Sequence, residues 1–295
     1  MLVGLHQNFI LNNIEQSLIQ QIYIITPLNI SRMKEKIKQL CEYIEKENNV
    51  EVLFAVENGS RAWRMESKNS DYDVRFVFVR PTKDYIQIDT PRNVIEAAFD
   101  KDGNSCPVKG SLIDISGFDI FKYVRLLSNS NPTTIEWLMS DIVYCGKQNE
   151  IFKSFALNKF TKKTLYLHYK SLCKNNYLNY IKSGKLITYK KYLYAYRGLV
   201  NAKWVVNKNT IPPIIFADAM AEMKNIIPNN ILNNLENIIE LKSQGKEKDI
   251  IQNIVELDKY IETFFEYESE TPDDETNRDF DELNDELRKI VLGDF

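Results

Sequence analysis

Apolar residues recur with two different periods along this chain. Between residues 50 and 115 the apolar runs are short, rich in Val, Ile and Phe, and bounded by Gly, Ser, Asp or Pro. Such runs predict strands, here at 50–56, 74–79 and 111–115. From residue 150 onward the spacing turns helical, with Phe152, Phe155, Ala156, Phe160, Leu165 and Leu172 at three- and four-residue steps. Lys182-Ser183-Gly184-Lys185 reads as a turn between helices. A long helix is predicted over 187–205 and further ones over 217–227, 233–241 and 248–265. Upstream, Ser31 reads as the N-cap of an amphipathic helix over 32–47. A helix is predicted over 119–129, and a short one starts at Pro132 behind the cap residue Asn131. Residues 84–88 are expected to continue the sheet or its edge, and 89–110, with Pro91, Gly103, Pro107 and Gly110, to be partly loop. The fold class is α+β: a small mixed β-sheet with helices on one side, then a mainly helical part. The expected divisions are 1–148, including a packed extension over 1–30; 149–265, helical and basic; and 266–295, a mobile acidic segment ending in a short helix.

Composition changes this picture little, but the distribution of charge changes it more. The 295 residues are 44% hydrophobic and 27% charged, as in ordinary soluble domains. The four cysteines have no metal-ligand spacing, and no run of 18 apolar residues or basic leader occurs. A zinc scaffold, a membrane span and a secretory signal are therefore not expected, and the cytoplasm is the expected location. The formal charge of −3 conceals a segregation. Residues 151–210 carry thirteen Lys or Arg and no acid, whereas residues 255–295 carry fifteen acids and four bases. The basic block also holds eight of the sixteen tyrosines. Lysines interleaved with tyrosines can follow a phosphate backbone while rings stack on bases; the alternative is an aromatic core under a solvated lysine face.

The candidate chemistry lies in 56–80, VENGSRAWRMESKNSDYDVRFVFVR. Asp71 and Asp73 are two apart, so a strand points both to one face. Adjacent carboxylates repel unless a cation lies between them, and hard oxygen donors suit Mg²⁺ or Mn²⁺. Gly59-Ser60 at the end of the first strand offers a tight turn, a hydroxyl and a backbone N–H for a phosphate. Asp114, between isoleucines in a short strand, is the expected third ligand, since a buried acid there needs a partner or a metal. Asp119 competes for that role but is better explained as a helix cap. Glu57 reads as a structural acid, with a salt bridge to Arg61 or Arg75 as the functional alternative. Arg61, Arg64, Arg75 and Arg80 surround the site; Arg75 shares the parity of the two acids and either binds phosphate or balances them. Trp63 is a packing anchor or a base-stacking ring, with the anchor favoured. On the long helix, Lys190, Tyr194 and Arg197 form one stripe able to meet a triphosphate and base, with Lys191 about 100° away.

The pattern G-S-x(10)-D-x-D with a distant strand Asp resembles the DNA polymerase β-type nucleotidyltransferase superfamily. The wider string E-N-G-S-R-A-W … S-D-Y-D-V-R-F-V-F-V-R-P resembles more closely its branch associated with an RNA repair pathway. Asp114 to Lys122, Ser130 to Leu138 and Lys190 to Arg197 extend the likeness over about residues 50–215. The resemblance implies a nucleotidyltransferase core and metal-dependent transfer of a nucleoside monophosphate from NTP to a hydroxyl. Two Mg²⁺ or Mn²⁺ ions would be held by Asp71, Asp73 and Asp114. Gly59, Ser60, Arg61, Arg75, Lys190, Tyr194 and Arg197 would contact the nucleotide. The basic block favours an RNA 3′ end or tRNA-like acceptor; a protein hydroxyl or a small molecule is the alternative, and a catalytically inactive nucleic-acid-binding scaffold the alternative of another class. One departure is visible: the branch usually has a small residue, often Gly, after the position of Trp63, where this chain has Arg64, a residue also able to reach a triphosphate.

Overall fold

The computed structural model describes residues 31–89, 91–109, 111–267, 271–273 and 279–293. The extension expected over 1–30 and much of the acidic segment 266–281 lie outside them. The chain divides into two compact units, residues 1–48 and 49–295. In the first, residues 31–48 form helix α1, whose buried stripe is Ile37, Leu40, Cys41 and Ile44, as its three- and four-residue spacing requires.

The second unit is built on a five-stranded mixed sheet. Its strands are β1 (Glu51–Asn58), β2 (Tyr72–Val79), β3 (Val94–Phe99), β4 (Ile113–Asp119) and β5 (Val143–Gly146), in the order β3-β4-β2-β1-β5. β1 is antiparallel to β2 and β5, and β3 to β4, while β2 and β4 run parallel. One helical turn, α2 (Gly59–Ala62), follows β1, and another, α3 (Thr82–Tyr85), follows β2. Helices α4 (Ile120–Ser128) and α5 (Pro132–Met139) come after β4. They pack on the sheet through Val77, Val79, Tyr123, Leu127 and Trp137. The helical part comprises α6 (Glu150–Lys159), α7 (Lys162–Asn176), α8 (Tyr189–Lys208), α9 (Phe216–Glu222), α10 (Asn229–Leu241), α11 (Val255–Tyr267) and α12 (Asp281–Leu292). A π-helical stretch, Tyr177–Lys182, prolongs α7. One apolar cluster runs from the sheet, through Phe54, Val56, Val77 and Val79, into these helices.

The caps fall where their residues direct. Asp119 accepts from the Phe121 N–H at 2.9 Å, and Asn131 accepts from the Thr133 N–H at 2.9 Å with Pro132 at the first helical position. Three expectations are corrected. Ser116-Gly117 does not end the third predicted strand, which runs on to Asp119. Gly117 is there for space: a Cβ on it would lie 2.3 Å from the Phe76 ring on the neighbouring strand. The stretch 89–110 is partly loop as expected, and the strand within it is β3, whose apolar pattern is weakened by Glu96 and two alanines. Residues 84–88 do not extend the sheet, because Tyr85 closes α3 and donates its hydroxyl to Asp119 at 2.8 Å. Residues 248–254 are not helical; they hook onto the start of α8, with Ile250 bridging Thr188 and the Ile251 N–H donating to the Ile187 carbonyl. Among the described residues, no helix is long and apolar enough to cross a membrane.

Gly117→Ala should cost about 1–3 kcal/mol through overpacking against Phe76. Urea denaturation measures it, and an unchanged midpoint would show that the ring can turn aside.

Candidate active site

The site grows out of one register. β2 and β4 pair in parallel with Asp73 opposite Asp114 and Arg75 opposite Ser116. Ile113 and Ile115 are buried, so the period of two turns Asp114 to the other face, half-buried. There it meets Asp73 and Arg75. The Arg75 Nη2 donates to Asp114 Oδ2 at 2.9 Å and lies 3.6 Å from Asp73 Oδ1. Its Nη1 donates to the carbonyls of Val74 and Asp114 at 2.8 and 3.2 Å. Arg75 thus balances the acids, one of the two roles open to it from sequence.

Asp73 is the centre of this cluster. Burial holds its carboxyl above the usual range; the positive charge of Arg75 pulls it back, Asp114 pushes it up, Lys190 pulls it down and Asp71 pushes it up. These four neighbours bring together residues from β2, β4, the loop before β2 and the first turn of α8. Tyr194 joins them: burial raises its hydroxyl, and the negative charges of Asp73 and Asp71 contribute. Lys190 Nζ lies 5.6 Å from the centre of the Tyr194 ring. Asp71 itself is exposed.

Gly59 packs directly on the cluster. Its φ is +63°, and a Cβ there would lie 2.0 Å from Asp73 Oδ2. Only glycine fits, both for the left-handed backbone and for the carboxylate beside it. Ser60 follows, buried in the helical turn α2, with its carbonyl accepting from the Met65 N–H at 2.8 Å.

Beneath Asp73 sits Glu57, 1% exposed. Its Oε1 accepts the Asp73 N–H at 2.8 Å and its Oε2 accepts the Tyr144 hydroxyl. Burial raises its pKa from 4.5 to about 7; the two hydrogen bonds hold it back and the charge of Asp73 adds to the rise. Glu57 is therefore the structural acid, fastening the backbone of the residue at the heart of the site.

Two of the nominated arginines are engaged elsewhere. Arg61 donates to the carbonyls of Ser70 and Asp71 at 2.6 and 3.2 Å and lies 3.9 Å over the Tyr72 ring, so it braces the loop that carries Asp71. Arg197 is buried, pairs with Glu136 and lies 3.7 Å over the Trp63 ring. The Trp63 indole donates to Glu136 at 3.2 Å, which makes Trp63 the anchor. Glu136 was not singled out from sequence, although it lies within a block that carries the resemblance. Lys191 points away, 3.4 Å over the Tyr180 ring. Arg64 has φ +56°, the left-handed region where glycine is at ease. Here its cost is offset by a 2.7 Å ion pair with Asp141 and a bond to the Arg61 carbonyl.

The oxygen donors of Asp71, Asp73 and Asp114 are those that suit Mg²⁺ or Mn²⁺. Among the described residues, no three His, Cys, Asp or Glu side chains already form a metal-holding group. The cation that Asp73 and Asp114 hold is the Arg75 guanidinium.

A family model described as RlaP, the RNA repair pathway DNA polymerase beta family, matches residues 33–289. The chain belongs to that family. It is also 32% identical over 263 residues to the uncharacterized protein YcgL of Bacillus subtilis (strain 168), a match spanning 88% of this chain and 96% of that protein. A crystal structure of a nucleotidyltransferase-like protein from Exiguobacterium sibiricum 255-15 is 13% identical over 87% of this chain and 88% of that one. Its TM-score of 0.29 carries no weight for the fold.

Glu57 gives this family member a pH signature. Its folded pKa, about 7, exceeds the unfolded 4.5. The folded state therefore binds more protons, and stability falls as pH rises from about 4.5 through 7. Glutamine does not titrate; its carbonyl can still accept the Asp73 N–H, while its amide N–H would donate to the Tyr144 oxygen in the reverse direction. Relative to Glu57→Gln, the wild type should lose about 3 kcal/mol across that window. Urea melts at pH 5 and 8 test this; parallel profiles for the two proteins would refute it.

Proposed function

We propose that this protein transfers a nucleoside monophosphate from an NTP to a hydroxyl acceptor, releasing pyrophosphate. The observation that carries the reading is the juxtaposition of Asp73 and Asp114 across a parallel register, with the Gly59 backbone against Asp73 and with Lys190 and Tyr194 brought to the same place from α8. Like-charged carboxylates gathered at a half-buried sheet end destabilise the fold unless cations balance them. Asp71, Asp73 and Asp114 would hold two Mg²⁺ or Mn²⁺ ions. Such ions lower the pKa of the attacking hydroxyl and stabilise charge on the transferred phosphoryl and the leaving pyrophosphate. Asp114 would orient the acceptor hydroxyl or take its proton. Gly59 and Ser60 offer backbone and hydroxyl groups to the β- and γ-phosphates, and Lys190 adds positive charge on the opposite wall. Tyr194 supplies an aromatic surface beside the acids. Arg61 and Arg197 act on this reading by fixing the Asp71 loop and the Trp63 turn.

An RNA 3′ end is the acceptor we favour. In the basic block Lys159, Lys163, Lys174 and Lys185 are exposed, suiting contact with a phosphate backbone. Tyr166, Tyr169, Tyr177, Tyr192 and Tyr196 are buried in the core. The block would therefore grip phosphates and would not stack bases, so it would position RNA without reading its sequence. The cytoplasm remains the expected location.

Incubating the protein with each α-labelled NTP, Mg²⁺ or Mn²⁺ and a mixture of cellular RNA and protein tests both halves of the reading. Label should enter RNA, and Asp73→Asn should abolish incorporation by at least about a hundredfold. Label in protein would reject the RNA acceptor; no incorporation under any condition would reject the transferase.

A further inference from the structure

Arg75 has too many partners for a free phosphate-binding arm. Its side chain is 18% exposed. One nitrogen serves Asp114 and Asp73, and the other serves two backbone carbonyls, one on each of the parallel strands. The planar fork is thus matched to a fixed set of oxygens along β2 and β4. Bonds of this kind, with both partners charged, are among the stronger ones in proteins.

A divalent ion shared by Asp73 and Asp114 would draw on the same two carboxylates, at about 2.1 Å. The guanidinium already occupies Asp114 Oδ2, and its positive charge opposes a second cation at the pair. We propose that Arg75 is the internal counter-ion of the acid pair: it holds Asp73 and Asp114 in place when metal is absent, and a divalent ion binds the pair against its charge, loosening its hold on Asp114. The inference rests on the metal-binding reading above and adds a positioning residue to it. Arg75 stabilises the metal-free protein and lowers its affinity for the ion. A residue of purely structural value would do the first and not the second. A phosphate-binding arginine would leave affinity for the bare ion unchanged.

Mn²⁺ alone is the probe, titrated into the full-length protein and followed by loss of the free-ion EPR signal. Wild type should bind with an affinity that Asp114→Asn weakens. Arg75→Gln should bind Mn²⁺ about tenfold or more tightly, since the ion no longer binds against a neighbouring positive charge. It should melt earlier than wild type in EDTA and recover most of the difference in saturating Mn²⁺. Arg75→Lys, which keeps the charge and loses the fork, should have an intermediate Kd and serves if Arg75→Gln does not fold. Wild-type binding with equal or weaker binding by the Arg75 variants overturns the inference and leaves the metal site standing. If neither wild type nor the variants bind Mn²⁺, the metal-binding reading falls and takes this inference with it.

Discussion

The parallel pairing of β2 with β4 is the constraint on which the site depends. It sets Asp73 against Asp114, and a slip of one residue would turn every side chain on one strand to the wrong face. Two half-buried carboxylates in register are unfavourable by themselves, so the structure supplies countercharge from Arg75 on the same strand and from Lys190 on α8. Glu57 completes the arrangement from below by binding the Asp73 N–H. Its raised pKa comes first from burial, and the charge of Asp73 adds to it. The glycine at 59 then brings the backbone up to the carboxylate with no side chain between. Register, countercharge and close approach are separate features of the sequence that converge on one carboxyl group.

The helical part reaches this point through two tethers of different chemistry. At one, Trp63 in the turn after α2 is held by Glu136 from α5 and covered by Arg197 from α8. At the other, the buried Lys242–Glu247 pair fixes the segment after α10, and the Glu247 carbonyl accepts the Lys190 N–H at 3.3 Å. Buried pairs of this sort contribute little net stability compared with apolar residues, because desolvation consumes most of the attraction. Breaking one leaves an unpaired charge and costs far more. Their value here lies in orientation: they decide which face of α8 meets the sheet, and hence that Lys190 and Tyr194 reach Asp73 while Lys191 does not. Helix α12 is tied down on another part of the unit, where Thr82 donates to the Val291 carbonyl at 2.7 Å and Leu283 is buried.

What could be read in advance followed from local rules. The two-residue period predicted that Asp73 and Arg75 share a face, although Asp71, assigned to the same face, lies in the loop before β2, and cap chemistry separated Asp119 from Asp114. Asn131-Pro132 marked the start of α5 for the same kind of reason. The errors arose where distant contacts overrode local signals. Ser116-Gly117 has the composition of a turn, but Gly117 is small because Phe76 crosses it on the next strand. Strand β3 is an edge strand with alanines and a glutamate, so its hydrophobic signature is weak. The arginines were the hardest to place. Four guanidinium groups near a phosphate motif all looked available, yet what each one binds depends on carbonyls and carboxylates brought in from elsewhere by the fold.

The same distinction bears on the basic block. Thirteen cations without an acid over sixty residues suggested a nucleic-acid surface, and interleaved tyrosines seemed to strengthen the case. The tyrosines are mostly core residues, because α7 and α8 bury broad faces and fill them with aromatic rings. Several of the cations are also neutralised by acids distant in sequence: Lys182 by Glu262 at 3.1 Å, Lys208 by Glu222 at 3.0 Å and Arg197 by Glu136. Charge segregation along the chain is therefore partly undone in space. What survives is a smaller set of exposed lysines: Lys159 on α6, Lys163 and Lys174 on α7, and Lys185 in the turn before α8. A surface of that kind attracts any polyanion, so on the proposed reading discrimination among acceptors would have to come from the geometry around Asp73 and Asp114, where a hydroxyl would either reach the phosphoryl group in line or not.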